Sequence, residues 1–202
     1  IPVTSLLPLA LMPAFGVLPQ AEVARAYGSP LILLLLGGFI LSTAMAHSGA
    51  HRRVALTMVQ AFGAHSSRRL VLGFMAAAAV LSMWISNTAT TLMMIPIALK
   101  VAEAVGDEGL DMKIFAPALA LAVAYSASVG GIITPVGTPT NLIAMGFMED
   151  NFGASVSFPQ WMLIGGPAAL LIIPAMWLIL TQWVFKIGGH APSAAGREVV
   201  LD

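Results

Sequence analysis

Long charge-free stretches dominate the pattern of this 202-residue chain. No Asp, Glu, Lys or Arg occurs in residues 1–21, 26–51, 70–99, 114–148 or 151–185. Each stretch reaches the ~18–20 residues that a helix needs to cross a lipid bilayer, whereas a helix on a soluble core shows a polar stripe at helical spacing. The pattern therefore predicts an all-α membrane protein, with a very apolar soluble helical bundle as the alternative.

Composition narrows the class of protein further. Hydrophobic residues make up 58% of the chain and charged residues only 9%, against about a quarter in soluble domains. Nine basic residues balance nine acidic ones, so the chain has no excess of positive charge for binding nucleic acid. The sequence has no cysteine, which excludes disulfides, thiolate metal sites and thiol nucleophiles. We therefore predict a multi-pass protein of an inner or plasma membrane that binds no nucleic acid.

The stretch 70–99 is unusual because polar side chains gather at its centre, around Ser86-Asn87-Thr88. If the chain turns there, the arms 70–85 and 89–104 are each ~24 Å long, short of a ~30 Å hydrocarbon core. Two arms too short to cross predict a re-entrant hairpin, here 67–105, whose backbone must be buried in protein or line a wet cavity. This topology also keeps most basic residues on the cytoplasmic side.

The stretch 114–148 is too long for one modestly tilted helix, at ~52 Å. Its centre, 130–141, reads GGIITPVGTPTN, and this density of Gly and Pro breaks a helix. We predict a half-helix that ends near Ser128, an unwound stretch, and a second half-helix that begins near Asn141. The whole broken helix occupies 112–148.

The other apolar segments predict simpler elements. Residues 30–47 and 158–185 predict spanning helices, the second with Trp161 and Trp183 as interfacial anchors. Residues 1–18 are Pro-rich and suggest a truncated span. Because apolar sequence begins at the first residue, we expect a fragment of a longer protein.

Two further segments are more polar. Residues 50–64 predict a helix that lies in the membrane interface or packs on protein, two alternatives that the pattern leaves open. Residues 188–202 are rich in Gly, Ala and Pro and predict a tail or linker.

The chemistry available at the two interruptions is that of neutral oxygen. No carboxylate lies in either stretch, so proton relays and carboxylate-bound divalent metals have no support. Hydroxyls, the amides of Asn87 and Asn141, and freed backbone carbonyls suit Na⁺, while half-helix N-termini suit an anionic substrate. Simpler alternatives are N-capping at 86–88 and a helix kink at 130–141. An enzyme would need buried acid–base or metal-binding residues, and these two apolar stretches contain none, so we do not expect an enzyme.

These motifs make a family resemblance visible. Residues 82–91 (SMWISNTATT), followed by MMIP at 93–96, resemble the first Ser-Asn-Thr hairpin of the divalent anion:sodium symporters. Gly130-Gly131 and the GTPTN run at 137–141 resemble the unwound loop of that family, and LGGF at 36–39 and FPQWM at 158–162 add to the resemblance. Thr140 departs from the family pattern, which usually has a second Pro there.

The resemblance implies a sodium-coupled symporter of small di- or tricarboxylates that works by alternating access as a homodimer. It implies one half of an inverted repeat, with scaffold helices and the interfacial helix in 1–66, half of the transport domain in 67–148, a scaffold helix in 149–187 and the tail in 188–202. The implied sodium ligands are Ser82, Ser86, Asn87 and Gly137, and the implied substrate contacts are Asn87, Thr88, Thr138 and Pro139. A related permease for sulfate or other oxyanions, or one coupled to protons, is the alternative, followed by a helical bundle without transport.

Overall fold

The structure, a computed structural model, describes residues 2–50, 53–54, 57–58, 61, 66–106 and 111–188. Regular structure in these ranges is helical, which confirms the all-α prediction. The continuous helices among the described residues are α1 (Pro2–Ala14), α2 (Gln20–Tyr27), α3 (Pro30–Ser48), α4 (Ser67–Ser82), α5 (Asn87–Gly106), α6 (Met112–Gly130), α7 (Pro139–Phe152) and α8 (Phe158–Leu178), which continues as the π-helical turn Ile179–Val184.

Local sequence sets where several helices begin and end. The Ser66 hydroxyl accepts a hydrogen bond from Arg69 N and Asp111 Oδ1 accepts one from Lys113 N, so polar caps start α4 and α6. Ser157 and Gln160 form a capping box at the start of α8. Gly153 ends α7 with a φ of 62°, a left-handed conformation that glycine adopts without strain.

Three segments within the described residues are long and apolar enough to cross a membrane: Gln20–Met45, Met112–Gly130 and Phe158–Val184. The chain divides into two compact units, residues 1–37 and 38–202. In the first unit α1 packs on α2, and the Tyr27 hydroxyl donates to Ser5 O at 2.5 Å. Apolar side chains of both α1 and the first half of α3 are exposed, as expected of helices that face lipid.

The core of the second unit forms where α6 packs against both α4 and α5. Gly130 lies directly against the backbone of Ala79, where a Cβ atom could not fit. Small residues therefore let α4 and α6 approach closely, as in helix pairs within membranes. The buried side chains of this core include Val71, Phe74 and Met75 on α4, Met94 and Ala98 on α5, and Phe115, Leu119 and Val123 on α6.

Both predicted interruptions are present, with boundaries shifted by a few residues. The hairpin turn occupies 83–86, before the predicted position, because Ser86 caps α5 and Asn87 is already helical. Helix α6 continues to Gly130, and α7 begins at Pro139, whose fixed φ suits the first turn of a helix. Neither arm of the hairpin is among the membrane-crossing candidates, and its re-entry into the bilayer stays a prediction.

Two predicted segments lie largely outside the described residues. Of the predicted interfacial helix at 50–64, only residues 50, 53–54, 57–58 and 61 are described, and they are helical. The predicted tail at 188–202 is described only at Gly188.

Candidate functional site

The hairpin turn brings the Ser-Asn-Thr motif to the start of α5. The Ser86 hydroxyl accepts a hydrogen bond from Ala89 N at 3.3 Å, which is the geometry of an N-cap. The Ser82 hydroxyl, completely buried at the end of α4, donates to Asn87 Oδ1 at 2.7 Å. Capping is therefore confirmed for Ser86, and it leaves the Asn87 side chain directed toward the end of α4.

The unwound stretch 131–138 is held in shape by two buried side chains. The Asn141 amide Nδ2 donates to Gly131 O and to Thr134 O, both at 2.8 Å, and so clamps the start and the middle of the stretch. The Thr134 hydroxyl donates to Met83 O in the hairpin turn and accepts from Gly137 N at 3.1 Å. Because backbone freed from a helix is costly when unpaired, these bonds make the break a defined structure.

Two glycines bring the hairpin and the unwound stretch into contact. A Cβ atom on Gly131 would overlap Asn87 Oδ1. A Cβ on Gly137 would lie 2.5 Å from Gly131 O and 2.9 Å from Ser82 O. Ser82 O and Gly131 O therefore lie against Gly137, and Asn87 Oδ1 lies against Gly131. The set consists of neutral oxygens, which suits a monovalent cation.

Helix termini add a directional field to this oxygen cluster. Helices α4 and α6 both end here, so their partly negative carbonyl ends converge on Gly137. Helices α5 and α7 both begin at the same two interruptions, with partly positive amino ends. The cap residue of α7, Thr138, makes no side-chain hydrogen bond to the first turn, which leaves those amides uncapped by its hydroxyl. The arrangement can stabilise a cation beside an anion.

The structure brings together part of the predicted site. Ser82, Asn87 and Gly137 meet through Gly131, as described above. Thr88 and Pro139 are exposed and Thr138 is half-buried, with its hydroxyl 3.3 Å from that of Thr140. No hydrogen bond between described residues joins Thr88 to the unwound stretch. The sodium and substrate roles of these residues stay predictions.

Sequence reasoning did not assign roles to the residues that shape the break. Thr134 is completely buried and Asn141 is 6% exposed. The sequence suggests Asn141 only as a source of an amide oxygen for an ion. In the structure its amide nitrogen makes the hydrogen bonds. The available signal was a polar residue inside the Gly/Pro cluster and another at its end, yet only the fold shows which carbonyls their side chains reach.

Helix α8 is hydrogen-bonded near its start to the unwound stretch and near its end to the start of α4. The Trp161 indole, predicted as an interfacial anchor, donates to Ile132 O at 2.9 Å, and Gly165 lies against the same carbonyl. At the other end the Trp177 indole donates to Arg68 O at 2.8 Å, and Arg68 Nε donates to Ile187 O at 2.6 Å. These bonds join α8 to the start of α4 and to the unwound stretch.

We expect Thr134→Val to loosen the break without emptying its volume. The valine keeps the shape but leaves Met83 O without its donor, which costs about 1–3 kcal/mol for a buried group. Gly137 N loses the Thr134 hydroxyl and keeps its bond to Thr134 O at 3.3 Å. Thermal unfolding of the full-length protein in detergent should therefore begin several degrees lower. The matched control is Thr43→Val, whose hydroxyl is exposed and bonds only within its own helix. Equal melting temperatures for the two variants would contradict a bridging role for Thr134.

Comparison with known proteins agrees with these features. The sequence profile of the citrate transporter family (CitMHS) matches residues 1–196. Sodium-dependent dicarboxylate transporters SdcS of Staphylococcus aureus, from strains USA300 and NCTC 8325 / PS 47, are each 39% identical over 189 residues. The match covers 91% of this chain and 36% of each relative, so the chain spans about a third of the length of the curated relatives it matches.

Proposed function

This chain belongs to the citrate transporter family, and from that membership we propose that it forms part of a sodium-coupled symporter of small di- and tricarboxylate anions. In the complete protein this activity would be transport across the plasma membrane by alternating access, with a homodimer as the assembly. The relatives are named as sodium-dependent dicarboxylate transporters, and their alignment covers most of this chain, which supports sodium as the coupling ion and a dicarboxylate as the substrate.

The observation that carries the proposal is the packing of Ser82 O and Gly131 O against Gly137, with Asn87 Oδ1 against the neighbouring Gly131. These oxygens belong to helix ends and one amide, so they attract Na⁺ without a formal negative charge. We propose Ser82, Ser86, Asn87 and Gly137 as sodium ligands. Ser86 would contribute an oxygen in addition to its role as a cap.

The anion would lie where α5 and α7 begin. The amino ends of these helices carry partial positive charge, which favours a carboxylate. We propose Asn87, Thr88, Thr138 and Pro139 as its contacts, with Asn87 shared between the ion and the anion. A residue common to both ligands provides a direct coupling, because each ligand then binds more tightly when the other is present.

The domain assignment follows the contacts of α4–α8. The hairpin at 67–105 and the broken helix at 112–148 would form half of the transport domain, and residues 1–66 would supply scaffold helices and the interfacial helix. Residues 149–187 were predicted as a scaffold helix. The bonds of Trp161 and Trp177 to the transport half favour a different grouping. We therefore propose that α8 moves with the hairpin.

Uptake by the full-length protein tests the proposal. Purified protein in liposomes should accumulate labelled succinate when a sodium gradient is imposed and not when potassium or a proton gradient replaces it. Unlabelled citrate and succinate should compete with the label, and sulfate should not. Uptake at full rate without sodium would overturn sodium coupling, and competition by sulfate alone would indicate an oxyanion permease.

A further inference from the structure

Thr90, one turn after Asn87 on α5, carries a buried hydroxyl that has no use within the protein. Its side chain is 1% exposed, and within the described chain its Oγ1 is the single buried side-chain oxygen or nitrogen without a hydrogen-bond partner. Leaving such a group unpaired costs about 1–3 kcal/mol, so native proteins rarely do it without a reason. Its position suggests that the missing partner is a ligand.

The absence of a partner is informative because an easy one is available. A helical Ser or Thr can donate to the carbonyl four residues earlier. Six hydroxyls in the described helical residues do so: Thr43 to Phe39 O, Thr57 to Arg53 O, Thr91 to Asn87 O, Ser126 to Ala122 O, Ser128 to Ala124 O and Thr181 to Trp177 O. Thr90 makes no such bond to Ser86 O, although its own backbone N donates to that carbonyl at 2.9 Å. The hydroxyl is therefore turned away from the bond that its helix offers.

The helical spacing places Thr90 beside the oxygen cluster. Residues three apart share a helix face, with Cβ atoms about 5–6 Å apart, so Thr90 lies directly below Asn87. Met94 and Ala98 are buried further along the same face of α5. Helix α5 packs closely on α6. At the head of the face, Asn87 Oδ1 touches Gly131 at the end of α6. The spacing thus places Thr90 on the buried face of α5 that begins at Asn87, on the side opposite the exposed Thr88.

We propose that Thr90 Oγ1 is a further ligand of the cation beside Asn87 and Gly131, and that it helps the site to prefer Na⁺ over Li⁺. The inference rests on the proposed sodium-coupled function. A hydroxyl keeps both lone pairs for an ion when it accepts no other bond. Selectivity between similar cations depends on ligand number and the size of the cavity, so the loss of one neutral oxygen should weaken Na⁺ binding more than Li⁺ binding.

Measurements on Thr90→Val in the full-length transporter test whether the Thr90 hydroxyl is a sodium ligand or has no role in binding. Valine keeps the volume and removes an unpaired polar group, so a purely structural residue would give equal or higher stability without sodium. A ligand would instead give a raised sodium requirement. We expect the sodium concentration for half-maximal succinate uptake to rise about tenfold, as for the loss of one bond to a charged group. We also expect the ratio of lithium-driven to sodium-driven uptake to increase.

A binding measurement without transport accompanies the uptake assay. Sodium chloride, compared with choline chloride at equal ionic strength, should raise the melting temperature of the wild type, because an ion that binds only the folded state stabilises it. Thr90→Val should show a smaller rise at the same sodium concentration. Thr181→Val is the matched control, since Thr181 is also completely buried and its hydroxyl bonds within its own helix. It should keep the wild-type response to sodium.

The outcomes distinguish this inference from the proposed function. An unchanged sodium requirement and thermal response in Thr90→Val, with a sodium-responsive wild type, overturns the role of Thr90 alone. A wild type without any sodium response overturns both. If Thr90→Val does not fold, Thr90→Ser and Thr90→Ala replace it. Wild-type behaviour for Ser with a raised requirement for Ala supports the inference, and wild-type behaviour for Ala overturns it.

Discussion

Asn87→Ala should reduce sodium-driven uptake of succinate by at least about 100-fold, because one side chain would lose contacts to both the ion and the anion. A hydrogen bond to a charged group contributes about 1.5–3 kcal/mol, and about 1.4 kcal/mol corresponds to a factor of ten. The alanine also leaves the buried Ser82 hydroxyl without its acceptor. Initial uptake rates in liposomes, measured over a range of sodium and succinate concentrations, check the expectation. Both half-saturation values should increase.

Asn151→Ala is the matched control for this variant. Asn151 is exposed near the end of α7, and its amide donates only to Phe147 O in the same helix, at 3.0 Å. Removing it alters no contact of the oxygen cluster, so uptake should stay within about twofold of the wild type, the scale of a surface substitution. Comparable losses in the two variants would remove Asn87 from the binding site and leave it a structural residue.

Gly137→Ala is expected to abolish uptake and to lower stability. The new Cβ would lie 2.5 Å from Gly131 O and 2.9 Å from Ser82 O, and these are backbone atoms that cannot rotate away. Overpacking of this kind typically costs about 1–3 kcal/mol, and here it also fills the space proposed for the cation. A lower melting temperature and the loss of its dependence on sodium are the measurements that check both effects.

Gly166→Ala provides the control because the chemical change is the same. A Cβ on Gly166, in the middle of α8, meets nothing within 4 Å. Alanine within a helix is more favourable than glycine by about 0.5–1 kcal/mol, so stability should be equal or slightly higher. Sodium-dependent stabilisation of Gly137→Ala at the wild-type level would show that the cation lies elsewhere.

The two helix interruptions were predictable because their causes are local. Polar residues around Asn87 within an apolar stretch, and the Gly/Pro cluster at 130–141, conflict with a continuous helix whatever the surroundings. Their ends were less accurate. Helix α6 continues through Gly130, where the missing Cβ lets the backbone of Ala79 on α4 pack closely, and this contact involves a neighbour distant in sequence.

The site was only partly predictable for a related reason. The Ser-Asn-Thr motif identified Ser82 and Asn87, whose contact spans five residues and is set by one turn. The bridge from Thr134 to Met83 spans 51 residues, and the indole of Trp161 reaches Ile132 across 29. No periodic pattern encodes such pairs, since they arise only when separate helices pack.

By itself, the sequence determined that this protein lies in a membrane and where its helices are interrupted. Both properties depend on the local sequence of each segment. Apolar side chains favour the bilayer, and a helix must satisfy its own backbone hydrogen bonds there, so each segment shows by its composition whether it can do both. Only the tertiary structure decided that the carbonyl ends of α4 and α6 meet beside Gly137, and that Thr90 is buried without a partner. The physical reason is that the position of an oxygen atom depends on how closely the helices pack, and this is fixed by contacts between segments distant in the chain.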